Sequence, residues 1–167
     1  YLTCDHRVML ENTRDVVTGV RILRHILGID QVLVGIEDNK PDAIVHMTAA
    51  FQGVDAVTVV PCRVKYPQGA ERQLIEALTK RQVPPPPGLP MDVGVVVQNV
   101  GTAAAVTAAI TRGEPFIERV ITLSGSAITT PMNVRVRLGT LLSDVVAFAG
   151  GLKGNPGKVI MGGPMMG

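Results

Sequence analysis

Apolar residues recur at three- and four-residue spacing from Val16 through Val17, Val20 and Leu23 to Leu27, while Arg14, Arg21 and Arg24 fall elsewhere on the wheel. This period predicts an amphipathic helix over 13–27, after a shorter one over 5–12, and Gly28 reads as its C-terminal stop. Three apolar runs then break the helical period: 32–36, 56–60 and 93–97. Each precedes a helical stretch, the first opened by Pro41 at its favoured first position, the second over 69–81, the third over about 101–112. Strands apolar on both faces and each followed by a helix are βα units of a parallel sheet. Such sheets take ligands at the carboxyl ends of their strands, which singles out the loops 37–40, 61–69 and 98–102.

Beyond Glu114-Pro115 the texture changes. Residues 120–125 read as a strand, and 133–138 alternate Val134, Val136 and Leu138 against Arg135 and Arg137, a half-exposed strand. Thr140 is a candidate N-cap for a helix reaching Phe148 and ended by Gly150-Gly151, and 158–161 is read as a last strand before Gly162-Gly163-Pro164. The fold class expected is therefore α/β: a Rossmann-like three-layer domain with a mostly parallel sheet over 1–113, then a small β-grasp module over 114–167. The proline run 84–90 reads as a polyproline II crossover between the second helix and the third strand.

Composition narrows the function. The 167 residues are 46% hydrophobic and 18% charged, with mean hydropathy +0.29, so a buried core forms and disorder is excluded as the main state. Aromatics are 3% with no Trp, which argues against a base-stacking surface. The net charge of +2 comes entirely from 114–167, where five cations meet three anions, and no basic run marks a nucleic-acid face. Residues 93–111 carry no charge, but Gln98, Asn99 and Gly101 divide them into strand, turn and helix rather than a membrane span. Cys4 and Cys62 form no CxxC pair, so no metal or iron–sulfur spacing is present, and two reduced thiols are the default. The chain begins at Tyr1 with no signal peptide and both ends read as cut, so it is expected to be a piece of a longer protein.

Two stretches offer chemistry. In Lys65-Tyr-Pro-Gln-Gly-Ala-Glu, Gly69 leaves the backbone open to a ligand ahead of a helix N-terminus, Tyr66 offers a ring to flank a planar group, and Glu71 sits in the first turn. A carboxylate there also complements the helix dipole with no ligand present. In Val97-Gln-Asn-Val-Gly-Thr, the amides of Gln98 and Asn99 and the Thr102 hydroxyl can read a ligand's hydrogen-bonding edges, or cap the helix. His6, His25 and His46 stand far apart, and no catalytic triad, Walker loop or dinucleotide fingerprint is present. The residues by themselves point to a nucleotide or flavin site with no catalytic side chain assigned.

Four stretches in order add more: Tyr1-Leu-Thr-Cys-Asp-His-Arg, Lys65-Tyr-Pro-Gln-Gly-Ala-Glu-Arg-Gln-Leu-Ile, Asp92-Val-Gly-Val-Val-Val-Gln-Asn-Val-Gly-Thr and Lys158-Val-Ile-Met-Gly-Gly-Pro-Met-Met-Gly. Together they resemble the C subunit of the Rnf ion-translocating electron-transport complex, a family similar to the NADH- and FMN-binding flavin subunit of respiratory complex I. The resemblance implies a flavoprotein domain followed by a soluble-ligand-binding β-grasp (SLBB) domain. It implies that FMN and NADH are bound, with Tyr66, Gly69 and Glu71 bordering flavin and nicotinamide and Gln98, Asn99 and Thr102 meeting the flavin phosphate or ribityl chain. Ala70 departs from the complex I pattern, which has a second acid there. The family's Gly-rich flavin loop would precede residue 1 and its 4Fe-4S cysteines would follow residue 167, so this chain alone is expected to bind FMN poorly. Partners implied are the other subunits of a membrane electron-transport complex, reached peripherally at the cytoplasmic face of the bacterial inner membrane with no span of its own. A cobalamin-reductase-type flavoprotein of the same family and a non-catalytic docking module are the alternatives.

Overall fold

The computed structural model describes residues 2–163; Tyr1 and 164–167, the tips of the first and last resembling stretches, lie outside the described residues. The element order is α1 (Cys4–Glu11), α2 (Thr13–Leu27), β1 (Val32–Glu37), α3 (Pro41–Ala50), β2 (Val57–Cys62), α4 (Glu71–Thr79), a 3-10 turn (Pro90–Val93), α5 (Val100–Arg112), β3 (Glu118–Leu123), β4 (Met132–Arg137) and α6 (Leu142–Phe148). The architecture is mixed α/β. β1 and β2 pair in parallel from Val32↔Val57 to Glu37↔Cys62, and β3 and β4 pair antiparallel from Glu118↔Arg137 to Leu123↔Met132.

The parallel pair lies between helices. Val34 and Ile36 point into a core shared with Val8 and Met9 of α1, Val16 and Val20 of α2, Met47 of α3 and Ala103 of α5. Gly35, on the opposite face, meets Leu74 and Leu78 of α4, where a Cβ would stand 3.0 Å from Leu74 Cδ1. Strand alternation thus distributes helices to both faces, giving the three layers expected.

Helices α2 and α5 pack antiparallel and close. A Cβ on Gly19 would fall 1.8 Å from the Ala103 carbonyl oxygen, and Thr107 Oγ1 donates to the Asp15 carbonyl at 2.6 Å. Arg112 then bridges Asp15 at 2.9 Å and Glu114 at 3.1 Å, closing the end of the pair.

The sheet is narrower than the hydrophobic pattern predicts. Residues 93–97 do not form a third strand. Asp92 Oδ2 accepts from the Leu89 amide, Arg81 donates to the Val93 carbonyl, Gly94 turns through φ +68°, and Val95 N returns to the Pro90 carbonyl. Turn and side-chain bonds thus claim backbone groups at the start of this run, and β-propensity, which reports packing more than backbone preference, yields to them. The proline run is likewise no extended spacer. Gly88 N bonds back to Pro85 O, and Arg72 donates to the carbonyls of Pro84 and Gly88 at 2.7 and 2.8 Å, folding it into a turn. Residues 158–161 form no strand, and Val159 and Met161 are exposed. Leu141 rather than Thr140 occupies the N-cap of α6.

The β3–β4 hairpin is stitched to α1. Thr122 Oγ1 accepts from the amides of Thr3 and Cys4 at 3.0 and 2.9 Å and donates to Asn133 Oδ1 at 2.8 Å, which caps the first helix from across the chain. Replacing Gly19 by alanine should force α2 off α5 and lower stability by about 2–3 kcal/mol, read as a shift of the urea midpoint. A wild-type midpoint would show that the crossing tolerates a methyl group.

Candidate functional site

Hydrogen bonds at the carboxyl edge of the parallel pair join two of the sequence-named loops, and the start of α1 links to the third. Asp38, after β1, accepts from the Val64 amide at 3.3 Å and donates its own amide to the Cys62 carbonyl at 2.8 Å, so the loops 37–40 and 61–69 are joined. His6 of α1 meets Asp42 at the start of α3 at 2.9 Å. Asp5, one residue earlier, accepts from Asn99 Nδ2 at 2.7 Å and ties the start of α5 to the start of α1. Among the described residues no hydrogen bond joins 66–71 to 98–102.

The 66–71 segment is open. Tyr66 is 62% exposed, a Cβ on Gly69 would meet nothing within 4 Å, and Glu71 stands exposed in the first turn of α4. The N-cap of α4 is Ala70, which has no side-chain oxygen, so its leading amides carry no side-chain cap. Gln68 is buried instead, and its amide closes the turn onto Lys65. A planar ring beside unclaimed amides and a carboxylate fits the nicotinamide end of a dinucleotide or the edge of a flavin.

The 98–102 segment is held from several sides. Asn99 is the N-cap of α5: its Oδ1 accepts from Gly101 N at 2.8 Å and from Arg119 Nη2 at 2.9 Å. Arg119 Nη1 reaches Thr102 Oγ1 at 3.3 Å, while Gln98 stays exposed. Of the two alternatives raised by the sequence, capping is the one observed at Asn99, whose side-chain amide is engaged within the chain. The amides of Gly101, Thr102 and Ala103 and both Nη atoms of Arg119 donate within the chain, so among the described residues the side-chain donors this 13-residue helix start keeps for a phosphate or ribityl oxygen are the Gln98 amide and the Thr102 hydroxyl. Gly101 and Arg119 line a cavity of about 450 Å³ with Asp5, Asp15, Glu114 and Glu118, and Gln98, Asn99 and Thr102 are not among its lining residues. A cavity of about 500 Å³ at the C-terminal end of α2, lined by Arg21, Arg24, His25 and Asp55, contains none of the sequence-named residues.

Sequence reasoning missed Asp5 and Arg119. Neither has a local signature, because their partners lie 94 and 20 residues away along the chain. The remaining chemistry is structural. Cys4 and Cys62 are free thiols, and burial pushes the Cys62 thiol up, with Glu37 and Asp38 nearby adding to the shift. Among the described residues no cluster of His, Cys, Asp and Glu is arranged to hold a metal ion.

With the geometry in view, the comparisons define the class. A family model described as the Nuo51 FMN-binding domain matches residues 1–108, and an SLBB domain model matches 120–167. The chain belongs to the Nuo51 FMN-binding domain family and also carries an SLBB domain match. Over its full 167 residues it is 56% identical to the C subunit of the proton-translocating ferredoxin:NAD(+) oxidoreductase complex of Clostridium ljungdahlii, spanning 36% of that protein. It is 47% identical to the C subunit of the ion-translocating oxidoreductase complex of Pseudomonas aeruginosa, spanning 21% of it. It is 43% identical to the C subunit of the Na(+)-translocating ferredoxin:NAD(+) oxidoreductase complex of Acetobacterium woodii, spanning 38%. The chain therefore spans about a fifth to two fifths of the length of these relatives, each by name a component of an ion-translocating oxidoreductase complex. The resemblance to the Rnf family holds along the whole sequence. No helix among the described residues is long and apolar enough to cross a membrane.

The His6–Asp42 bond supplies a pH signature for this edge. The hydrogen bond from His6 holds the Asp42 carboxyl below its ordinary range. A carboxylate lowered on folding stabilises above its unfolded value of about 4 and loses that contribution as the pH falls through the lowered one. The stability gap between wild type and Asp42→Asn should therefore be full above the unfolded value of about 4 and close as the pH falls through the lowered one in denaturant titrations. A gap that stays constant as the pH falls would remove Asp42 from the acid response.

Proposed function

We propose that the chain forms the flavin- and nicotinamide-binding core of an electron-transport subunit, with 1–113 as the cofactor-binding unit and 114–167 as the SLBB-like unit. The observation that carries the reading is the start of α5, where the exposed Gln98 amide and the Thr102 hydroxyl keep donors free, within the segment that matches the FMN-binding family. The unit boundary is supported by the two family matches, 1–108 and 120–167. Gln98, Asn99 and Thr102 are the residues to hold the phosphate or ribityl chain of FMN. Tyr66 flanks a ring, Gly69 gives it room, and Glu71 orients NADH through the nicotinamide or its ribose. Bound FMN would supply the exchange between hydride and single-electron chemistry, so the chain's own task is to bind and orient, and no protein acid or base is assigned.

The whole protein, in this reading, exchanges electrons between NAD(H) and iron–sulfur centres in a complex whose membrane subunits move ions. The relatives' names, ferredoxin:NAD(+) oxidoreductase and ion-translocating complex, support that assignment. The 4Fe-4S ligands belong to the rest of the full-length protein, which attaches through partner subunits at the cytoplasmic face of the inner membrane.

Glu71→Gln in the full-length protein should slow flavin reduction by NADH about tenfold while flavin content stays at wild type, since a charge-assisted hydrogen bond is lost at the nicotinamide alone. Stopped-flow flavin bleaching and the absorbance of the purified protein measure the two quantities. Wild-type values of both would leave Glu71 only its dipole-complementing place at the start of α4.

A further inference from the structure

Arg119 belongs to β3, yet both its Nη atoms are spent on α5. Nη2 donates to Asn99 Oδ1 at 2.9 Å and Nη1 to Thr102 Oγ1 at 3.3 Å, and the guanidinium carbon lies 5.4 Å from the centre of the Phe116 ring. The contact is close. An ideal Cβ on Gly101 would stand 3.6 Å from the same guanidinium carbon and 3.1 Å from Asn99 Oδ1. Asn99 is held from its other end by Asp5, so its amide plane is set by three partners: Gly101, Arg119 and Asp5.

A planar guanidinium that bonds two side chains at once fixes their relative orientation as well as their separation. Lysine, with a compact charge on a flexible stem, supplies the charge without the fork. The strand that carries Arg119 is fastened elsewhere, by Thr122 to the start of α1 and by Val120 against the main core, so the guanidinium approaches α5 from an anchored base.

We infer that Arg119 is a positioning residue for the phosphate end of the flavin site, acting through Asn99 and Thr102 and making the β3–β4 hairpin part of the site's specificity. The inference rests on the flavin reading of residues 98–102 given above. Its consequence is selectivity. A helix start held in register favours a flavin that bears a phosphate over one that does not, and a slack one loses that preference while still admitting the isoalloxazine ring.

The test measures dissociation constants for FMN and riboflavin on full-length apoprotein by flavin fluorescence, for wild type, Arg119→Met, Arg119→Lys and Asn99→Ala, each below its own unfolding temperature. The expected result is that Arg119→Met lowers the FMN-over-riboflavin preference by about tenfold, in the same direction as Asn99→Ala, with Arg119→Lys between it and wild type. A general loss of stability would weaken both flavins alike, and equal weakening in Arg119→Met overturns the proposal. A wild-type preference in Arg119→Met with a lowered one in Asn99→Ala also overturns it, and leaves the flavin reading of the segment standing. A wild-type preference in both variants removes the flavin reading of residues 98–102, and the role of Arg119 with it.

Discussion

The closeness of α2 to α5 is the constraint on which the rest depends. At Gly19 the helices approach until a single methyl group would overlap the Ala103 carbonyl. Only this distance lets Thr107 reach the Asp15 backbone and Arg112 reach the Asp15 side chain. It also fixes where α5 begins, and hence where Asn99 and Thr102 stand relative to α1 and β3. Protein interiors transmit such displacements because they are close-packed, so a site at one end of α5 is set by packing in its middle.

The second organising feature is the way helix starts are satisfied. The first amides of α1 are capped by Thr122 from β3, and α5 is capped by its own Asn99 under the guanidinium of Arg119. The start of α4 behaves differently: Ala70 has nothing to cap with, and the neighbouring Tyr66 and Gly69 stand open. One helix start is thus held in register and another is free to receive a group, a division that suits a site binding two ligand parts of different chemistry.

The proposed chemistry asks little of the protein beyond this geometry. Hydride and electron exchange belong to the bound groups, and the side chains contribute orientation, charge and exclusion of the wrong ligand.

Much of this was legible in the residues themselves. The 3.6-residue period placed α2, Pro41 marked the start of α3, Gly28 marked a helix end in the left-handed region, and the alternation at 133–138 marked the half-exposed strand that forms over Met132–Arg137. Those signals are local, and the forces behind them act within a turn or two of chain. The local chemistry and the resemblance named Tyr66, Glu71, Asn99 and Thr102 as candidates, but not what holds Asn99 and Thr102 in place. Tertiary structure alone decided that residues 93–97 turn under Arg81 and Asp92 instead of joining the sheet, and that the proline run folds back beneath Arg72. It alone brought Asp5 and Arg119 to the start of α5. In each case side chains from separate elements compete for groups that the local pattern leaves free, and that competition is settled only when the chain is packed.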